Sequence, residues 1–464
     1  MEHAAQRTDV QETAADGRRW SDARRRLAAF GLVFAAALGV RLLCWRDVRF
    51  EAFKVQTAVS QNYKHLARLL RENGAASFYD PGSPTAEPDL LGHPPGYSFV
   101  LAAVYAVFGE SDAAAQIFQA VCDALAAAVL FLIAAELLPP GVGVVAGLLA
   151  AFAPQFCWNS LTLLPDTLAV LPVLLAVYAL LRASGGKGAP LGALAAGALV
   201  GASCWLRANA LLLAPFMLLA VPTLFPRGAR ARAALALVAG ALLAVAPLTV
   251  RNAVVYGHFI PVSLGAGQTL VEGVADYDPG RRFGLPDTDV GLTRMEAEES
   301  GRPEYADSLF EPDGIRRDRE RARRALRVIG ANPFWFAGVM ARRAASMLRL
   351  ERTPLASNAP VSEGRTRAPR LVLRAVQKLF VTAVFLPLYL AGLFVLAGAR
   401  RRRALAALLV VPLYYLCVQS ALHTEYRYVL AVHHFLFVVA AAALHRAWLY
   451  ARGAFNSRRG RVSP

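Results

Sequence analysis

The sequence predicts an all-α integral membrane protein with about ten transmembrane helices. Of its 464 residues, 56% are hydrophobic and only 18% are charged, and apolar runs of membrane-spanning length recur along the chain. Lysine and arginine are concentrated in short connections between these runs, which is typical of loops that stay in the cytoplasm. The formal charge of +17 therefore indicates anchoring at anionic membrane lipids and not nucleic-acid binding.

A helix that crosses roughly 30 Å of hydrocarbon needs about 20 mostly apolar residues. Ten runs of about this length are the predicted spans: 29–45, 112–137, 141–156, 161–181, 189–204, 209–224, 233–250, 376–398, 404–419 and 428–449. Residues 1–28 are polar, so we expect a cytoplasmic tail, and the first run is long enough to remain as a signal anchor.

Five basic segments should face the cytoplasm: residues 18–26, 182–187, 227–232, 400–403 and 446–461. This placement is consistent only if the apolar stretch 95–109 does not cross the membrane, so we predict an interfacial or re-entrant helix on the outer face. Both termini, including the basic tail 450–464, are then cytoplasmic in a multi-pass protein of the plasma (inner) membrane. The N-terminal module 29–250 contains the outer loop 46–111, and helices within 376–449 complete the bundle.

Segment 251–375 is too long for a structureless connection and is predicted to be a small, mixed outer subdomain. Turn signals occur at Asp278-Pro279-Gly280 and Glu311-Pro312-Asp313-Gly314. Residues 334–350 predict an amphipathic helix that either lies in the headgroup layer or packs on the bundle. Asp123, near the middle of a predicted span, should be buried against a Ser, Arg or Tyr partner.

Five motifs follow one another in the predicted outer segments. They are Asn62-Tyr63 with Pro94-Pro95-Gly96-Tyr97, Leu163-Leu164-Pro165-Asp166, Leu206-Arg207-Ala208-Asn209, Arg251-Asn252 through Gly267-Gln268 to Glu272-Gly273, and Glu425-Tyr426-Arg427-Tyr428. In this order they resemble the GT-C fold polytopic glycosyltransferases, closest to the bacterial dolichyl-phosphate-mannose-protein mannosyltransferase-like and aminoarabinose transferase-like group.

The resemblance implies transfer of a sugar from a polyprenyl-phosphate donor to a lipid, glycan or protein acceptor on the outer face, within cell-envelope assembly. Such transfer needs a base for the acceptor hydroxyl and cations for the departing phosphate. Asp166, at the mouth of a span, is the candidate base or acceptor-orienting group, although a helix-capping role is also open. Arg207, Arg251 and Arg427 are candidate phosphate ligands, or else arginines anchored at the membrane surface.

The remaining candidate substrate-binding residues lie in the same motifs. They are Tyr63, His93, Gln268, Glu272, Glu425 and Tyr428. The resemblance also implies an acidic residue shortly before Tyr63, where this chain has Val59-Ser60-Gln61-Asn62. Asp47 and Glu51 are the nearest substitutes and are therefore the other two candidate catalytic acids.

No His, Cys, Asp or Glu cluster has metal-ligand spacing, and the aspartates at 276, 278, 287 and 289 look like solvated loop charge. We expect neither a cofactor nor a metal site, although a divalent cation could assist. The five cysteines indicate no disulfide framework. Two other functions stay open: a transporter or flippase of a lipid-linked substrate, and a catalytically silent scaffold for envelope assembly.

Overall fold

The structure, a computed structural model, describes residues 2–185, 188–350 and 364–459. Lys187, part of the predicted outer subdomain (351–363) and the end of the basic tail (460–464) lie outside the described residues. Within the described part every regular element is a helix. The all-α class is therefore confirmed.

The first half of the chain contributes eleven α-helices, several of which are too short to cross a membrane. They are α1 (Glu2–Phe53), α2 (Thr57–Asn73), α3 (Gly96–Phe108), α4 (Asp112–Leu137), α5 (Pro140–Phe152), α6 (Pro154–Asn159), α7 (Asp166–Ala183), α8 (Ala189–Leu206), α9 (Leu213–Met217), α10 (Val221–Leu224) and α11 (Arg230–Tyr256).

The second half begins with five helices outside the long apolar runs and ends with three apolar ones. They are α12 (Ala266–Ala275), α13 (Asp289–Ser300), α14 (Gly314–Ala331), α15 (Pro333–Met347), α16 (Arg367–Gln377), α17 (Thr382–Gly398), α18 (Arg402–Val418) and α19 (Leu430–Arg459).

Seven helical segments of the described chain are long and apolar enough to cross a membrane. The count is eight if α16 and α17, which meet at a bend of 61°, form one span. Two of the ten predicted runs correspond to shorter apolar helices, Pro140–Phe152 and Ala208–Leu224. Helix α3 has 13 residues, about 20 Å of length, which is too short to span the hydrocarbon as a straight helix.

Helices α8 and α11 pack with their backbones in direct contact. A Cβ atom at Gly197 would collide with the carbonyl oxygen of Leu237, and one at Gly240 would collide with that of Leu194. Small residues are favoured at such contacts because helices in lipid associate through close packing, without a hydrophobic driving force between them. The pairing fixes the far ends of both helices, from which Arg207 and the 251–375 segment continue.

Arg41 and Asp123 form an ion pair inside the bundle, between α1 and α4. The Asp123 carboxylate lies 2.6 Å from the guanidinium, and the two side chains are 0% and 2% exposed. Arg41 also donates to the backbone carbonyls of Ala37 (3.0 Å) and Ala151 (3.2 Å). Of the three partner types predicted for Asp123 (Ser, Arg or Tyr), the structure has an arginine.

Replacing Asp123 by alanine should destabilise the protein by about 3–5 kcal/mol, because Arg41 keeps its charge in an apolar layer without a counterion. Glu136→Gln is the control, since Glu136 pairs with the more exposed Arg26 and Arg182 at 3.3 and 3.2 Å and should cost at most about 1 kcal/mol. The thermal midpoint in detergent compares the two. Equal losses would contradict a structural role specific to the buried pair.

The described helices of segment 251–375 share an apolar cluster of their own. Val271, Leu292, Ala325, Phe336 and Val339 are buried in it. Helix α15 packs on this cluster through Phe336 and Val339, which favours a packed helix over one that lies in the headgroup layer. Phe334, at the start of the same helix, nevertheless remains 91% exposed.

Polar contacts hold the helices of this segment together and attach the segment to the bundle. The Asp318 carboxylate accepts from the backbone N–H groups of Gly267 (3.1 Å) and Gln268 (3.2 Å), which caps the first turn of α12. Buried Arg343 donates to the carbonyl of Ser420 at 2.6 Å and also to that of Gly273. These contacts place α12 beside the loop between α18 and α19.

Candidate active site

A cavity of about 390 Å³ opens where the first loop, the 251–375 segment and the last loop meet. We call the end of the bundle at which this cavity opens the loop end. The cavity is lined by Gln56, Val59, Tyr63, His93, Leu164, Pro165, Arg207, Gln268, Thr269, Glu272, Asp287, Thr288, Asp289, Val290, His423, Glu425, Arg427 and Tyr428. Eight of the nine predicted substrate-binding residues are in this lining.

One wall of the cavity is cationic. Arg207 and Arg427 both lie over the ring of Tyr428, with their guanidinium carbons 4.1 and 4.9 Å from its centroid. Asp166 lies beneath them, 2.5 Å from Arg207 and 3.8 Å from Arg427. Its side chain is 1% exposed, so the carboxylate holds the two arginines together and does not face the cavity.

The local sequence explains how this wall forms. Pro165 precedes α7 and leaves Asp166 in the first helical turn, where the helix dipole favours a carboxylate. Helix α8 ends before Arg207, and Asn209 donates to the carbonyl of Tyr428 at 3.0 Å. Two motifs more than 200 residues apart are joined by this bond.

Glu425 neutralises part of the cationic wall. Its two carboxylate oxygens each lie 2.8 Å from Arg427 in a bidentate pair. Burial opposes ionisation, but the hydrogen bonds and charge of Arg427 prevail and lower the pKa of Glu425. Arg207 and Arg427 thus face two carboxylates, and both arginines line the cavity.

Tyr63 and His93 form the aromatic side of the cavity. Their ring centroids are 5.4 Å apart, and Tyr97 meets Tyr63 edge-on at 5.1 Å. The Tyr63 hydroxyl is buried and has no hydrogen-bond partner among the described residues. Burial and the nearby charge of Arg207 lower the pKa of His93 to about 4, so its imidazole is neutral at physiological pH. The unpaired Tyr63 hydroxyl indicates that a bound ligand supplies its hydrogen-bond partner.

Another part of the lining, which we call the acidic wall, contains carboxyl side chains. Gln268 donates its side-chain amide to Glu272 at 3.2 Å and also to Asp289. Burial, together with a hydrogen bond and the negative charge at Asp289, raises the pKa of Glu272 to about 9. The pair therefore shares one proton at neutral pH, and Asp287 lies next to it in the lining.

His423 completes this wall from the last loop. Its Nδ1 lies 2.9 Å from the Asp276 carboxylate, which raises the pKa of His423, and its backbone N–H donates to the carbonyl of Thr269 at 2.7 Å. The contacts attach the loop containing Arg427 to α12.

Three predicted site residues lie elsewhere. Asp47 is buried against Arg370 and Arg374, and Glu51 is an exposed residue that pairs with Lys54 at 3.1 Å. Buried Arg251 donates to the carbonyls at 78 (3.0 Å) and 85 (2.8 Å), and so holds the first loop. The structure does not bring these three side chains to the cavity.

The segment just before Tyr63 contributes neutral side chains to the cavity. Gln56 and Val59 line the cavity, and Asn62 turns away to donate to Asp89 at 3.0 Å. The carboxyls that face the cavity come from other loops.

Asp287 and Asp289, which the sequence analysis interpreted as solvated loop charge, are exposed in the structure and also line the cavity. Thr288 caps α13 by accepting from the N–H of Gly291 at 3.2 Å, which fixes the neighbouring aspartates at the cavity rim. A Thr-Asp pair before a helical stretch was the available signal. The position of this pair relative to Arg427 depends on how segment 251–375 packs against the last loop.

The acidic wall does not form a recognisable metal centre. No group of three or more His, Cys, Asp or Glu side chains in the described ranges is arranged to hold a metal ion.

Comparisons with known proteins agree with this geometry. Residues 92–250 match the sequence profile of the family described as dolichyl-phosphate-mannose-protein mannosyltransferase. This region includes the motifs at Pro94-Pro95, Asp166 and Arg207. Comparison with curated proteins gives no significant match.

Among solved structures, the fold is similar to an oligosaccharyltransferase of the archaeon Archaeoglobus fulgidus. The AglB complex with an inhibitory peptide and a dolichol-phosphate has a TM-score of 0.52 at 15% identity, over 96% of this chain and 53% of that one. The apo form has a TM-score of 0.52 at 16% identity, over 95% and 52%. A complex with Zn and sulfate has a TM-score of 0.51 at 16% identity, over 92% and 50%.

The chain thus spans about half the length of the archaeal proteins whose fold it shares. The profile match and the shared fold bear out the interpretation of the motifs. The chain is a multi-pass all-α membrane protein with the GT-C fold, and it resembles the dolichyl-phosphate-mannose-protein mannosyltransferases.

Proposed function

We propose that the protein is a membrane glycosyltransferase that moves a sugar from a polyprenyl-phosphate donor to a hydroxyl of a lipid, glycan or protein acceptor. The family profile and the archaeal complex with dolichol-phosphate and a peptide support this assignment. The cavity offers the two chemical elements that such a transfer requires, a cationic wall and an acidic wall.

The cationic wall binds the donor phosphate. Arg207 and Arg427 present N–H donors in a fixed geometry, and such forks match phosphate oxygens. Asp166 fixes both arginines from below, so it acts as a positioning residue and not as the base. As the bond between the sugar C1 and the phosphate oxygen breaks, the electron pair moves to the phosphate, and the arginines stabilise that charge.

The acidic wall activates the acceptor. The Asp289 carboxylate takes the proton of the acceptor hydroxyl while its oxygen forms the new bond to C1. Protonated Glu272 and Gln268 orient that carboxylate through hydrogen bonds. His93, Tyr63 and His423 contact the sugar, with neutral His93 and the Tyr63 hydroxyl donating to or accepting from sugar hydroxyls.

The loop end is assigned to the outer face of the plasma membrane. Arg26 and Arg182, which meet Glu136, lie at the opposite end of the bundle, and basic span ends favour the cytoplasm. Segments 46–111 and 251–375 then form the outer region, between the helices of 29–250 and those of 376–449. Both terminal segments, 1–28 and 450–464, are cytoplasmic in this arrangement.

The observation that carries the proposal is the unpaired Tyr63 hydroxyl inside a cavity that also holds two arginines. Tyr63→Phe should lower kcat/KM about 10- to 100-fold, because a single hydrogen bond to a charged or polar ligand is lost. Release of polyprenyl phosphate from a polyprenyl-phosphate hexose, by the protein in vesicles, measures the rate.

Tyr389→Phe is the matched control, since that hydroxyl is also buried and has no hydrogen-bond partner in the described part of the chain, but lies in α17, away from the cavity. Equal effects of the two substitutions would contradict the site. If the wild-type protein consumes no donor from any membrane-lipid extract, the enzyme assignment fails and the scaffold alternative gains support.

A further inference from the structure

A second and larger cavity lies on the other side of the 251–375 segment. It is a groove of about 520 Å³ that includes Leu91, Leu264, Phe310 and Ile315 on its apolar side. Phe310 separates it from the candidate active site, since its ring also meets His93 edge-on at 6.3 Å. The groove therefore adjoins the active-site cavity but is not part of it.

Arginines form the other side of this groove. Arg316, Arg319 and Arg323 occur at intervals of three and four residues, so they share one face of α14. Arg316 is bound to Asp313 at 3.2 Å and to the Tyr305 hydroxyl at 2.6 Å. Arg319 and Arg323 are exposed and make no ion pair or hydrogen bond with the described residues.

Three other arginines of the same helix, in contrast, form ion pairs with glutamates. Arg317 and Arg321 are paired with Glu296 at 2.8 and 2.6 Å, and Arg324 is paired with Glu299 at 2.7 Å. The only carboxylate among the residues that line the groove belongs to Asp313, which is already neutralised by Arg302 at 2.6 Å and by Arg316. The lining of the groove thus has a net positive charge, which favours an anionic ligand.

The position of the groove indicates the source of that anion. Tyr256, which lines it, is the last residue of the candidate span Arg227–Tyr256. Val250, Val254 and Phe259, around this end, are 57%, 59% and 75% exposed. A ligand in the groove therefore meets the arginine row and lies beside the end of a candidate span.

We propose that this groove binds the phosphate headgroup of an anionic membrane phospholipid. The phosphate lies between Arg319 and Arg323, and the glycerol and first methylenes contact Ile315 and Leu264. Each arginine close to an anionic lipid surface strengthens its attraction severalfold. This inference does not depend on glycosyl transfer, because it concerns a different cavity and a different ligand.

Spin-labelled phosphatidylglycerol and phosphatidylcholine test the proposal with the full chain reconstituted in phosphatidylcholine vesicles. The wild-type protein should immobilise labelled phosphatidylglycerol preferentially, and Arg319→Gln/Arg323→Gln should reduce that preference roughly tenfold. Arg294→Gln/Arg327→Gln removes the same charge from exposed positions of α13 and α14 outside the groove, and should leave it within about twofold.

Three outcomes would overturn the proposal. The wild-type protein could show no preference for phosphatidylglycerol, or the control variant could lose as much as the groove variant, which would indicate general surface charge. Soluble glycerol phosphate could also displace the label completely, in which case the groove binds a free phosphate and not a lipid.

Discussion

Replacement of Arg427 by glutamine is expected to lower the rate of sugar transfer about 10²- to 10³-fold. Arg427 is 11% exposed, points into the cavity and lies beside Arg207 over the same tyrosine ring. Removing one preorganised donor from the place where negative charge develops typically costs this much. Arg427→Lys should recover only a part, since an ammonium cannot donate two parallel bonds.

The loss of transfer activity in Arg427→Gln has to be distinguished from the effect of breaking the ion pairs of Arg427. Arg427→Gln also leaves Glu425 without its bidentate partner, so Arg427→Gln/Glu425→Gln restores the balance of charge. If the double variant is as impaired as the single one, the arginine itself stabilises the transferring phosphate. Arg324→Gln, which breaks an arginine pair with Glu299 away from the cavity, is the control. Transfer within threefold of wild type in Arg427→Gln would contradict the assignment.

Asp289→Asn is expected to reduce transfer about 10²- to 10⁴-fold, because it removes the proposed general base. Glu272→Gln, in contrast, should retain most of the activity at neutral pH. The pKa of Glu272 is raised to about 9, so this side chain is already protonated there, and glutamine reproduces a neutral hydrogen-bonding group. The two neighbouring substitutions should therefore differ by more than tenfold.

The raised pKa of Glu272 also predicts how KM depends on pH. Below the raised pKa of Glu272 the pair carries one negative charge, and as the pH rises through about 9 a second charge forms beside Asp289. That charge repels the donor phosphate, so the wild-type KM should rise at alkaline pH, whereas Glu272→Gln should show no such rise. Profiles of kcat and KM between neutral and alkaline pH measure this. Glu298→Gln, an exposed change on α13, is the control, and an unchanged alkaline limb in Glu272→Gln would contradict the proton-sharing pair.

Local sequence patterns were sufficient for the helical spans and for most of the cationic wall. Arg207 follows a run that ends in the turn before Asn209, and Arg427 follows a loop that opens α19. Polar residues at the ends of long apolar runs are costly unless they face water or a ligand. The motifs therefore identified Arg207 and Arg427 as candidates without any knowledge of their contacts.

The same reasoning was less successful where a side chain has two possible partners. Asp47 and Glu51 were the acids nearest to Tyr63 in sequence, but Asp47 faces Arg370 and Arg374 on α16, while Glu51 faces solvent. A carboxylate beside a span pairs with the nearest arginine in space, and that arginine is more than 300 residues away along the chain. Sequence distance carries no information about such a pair.

The amino-acid sequence by itself determined that this protein is a helical, multi-pass membrane protein, because the length and hydrophobicity of its runs are set by the thickness of a bilayer. The order of its motifs, and not the runs, carried the resemblance to GT-C glycosyltransferases. Only the tertiary structure decided which acids face the arginines. It placed Asp166 beneath Arg207 and brought Glu272 and Asp289 into the same cavity as the arginines, because the contacts that orient α12 and α13 join segments far apart in the chain.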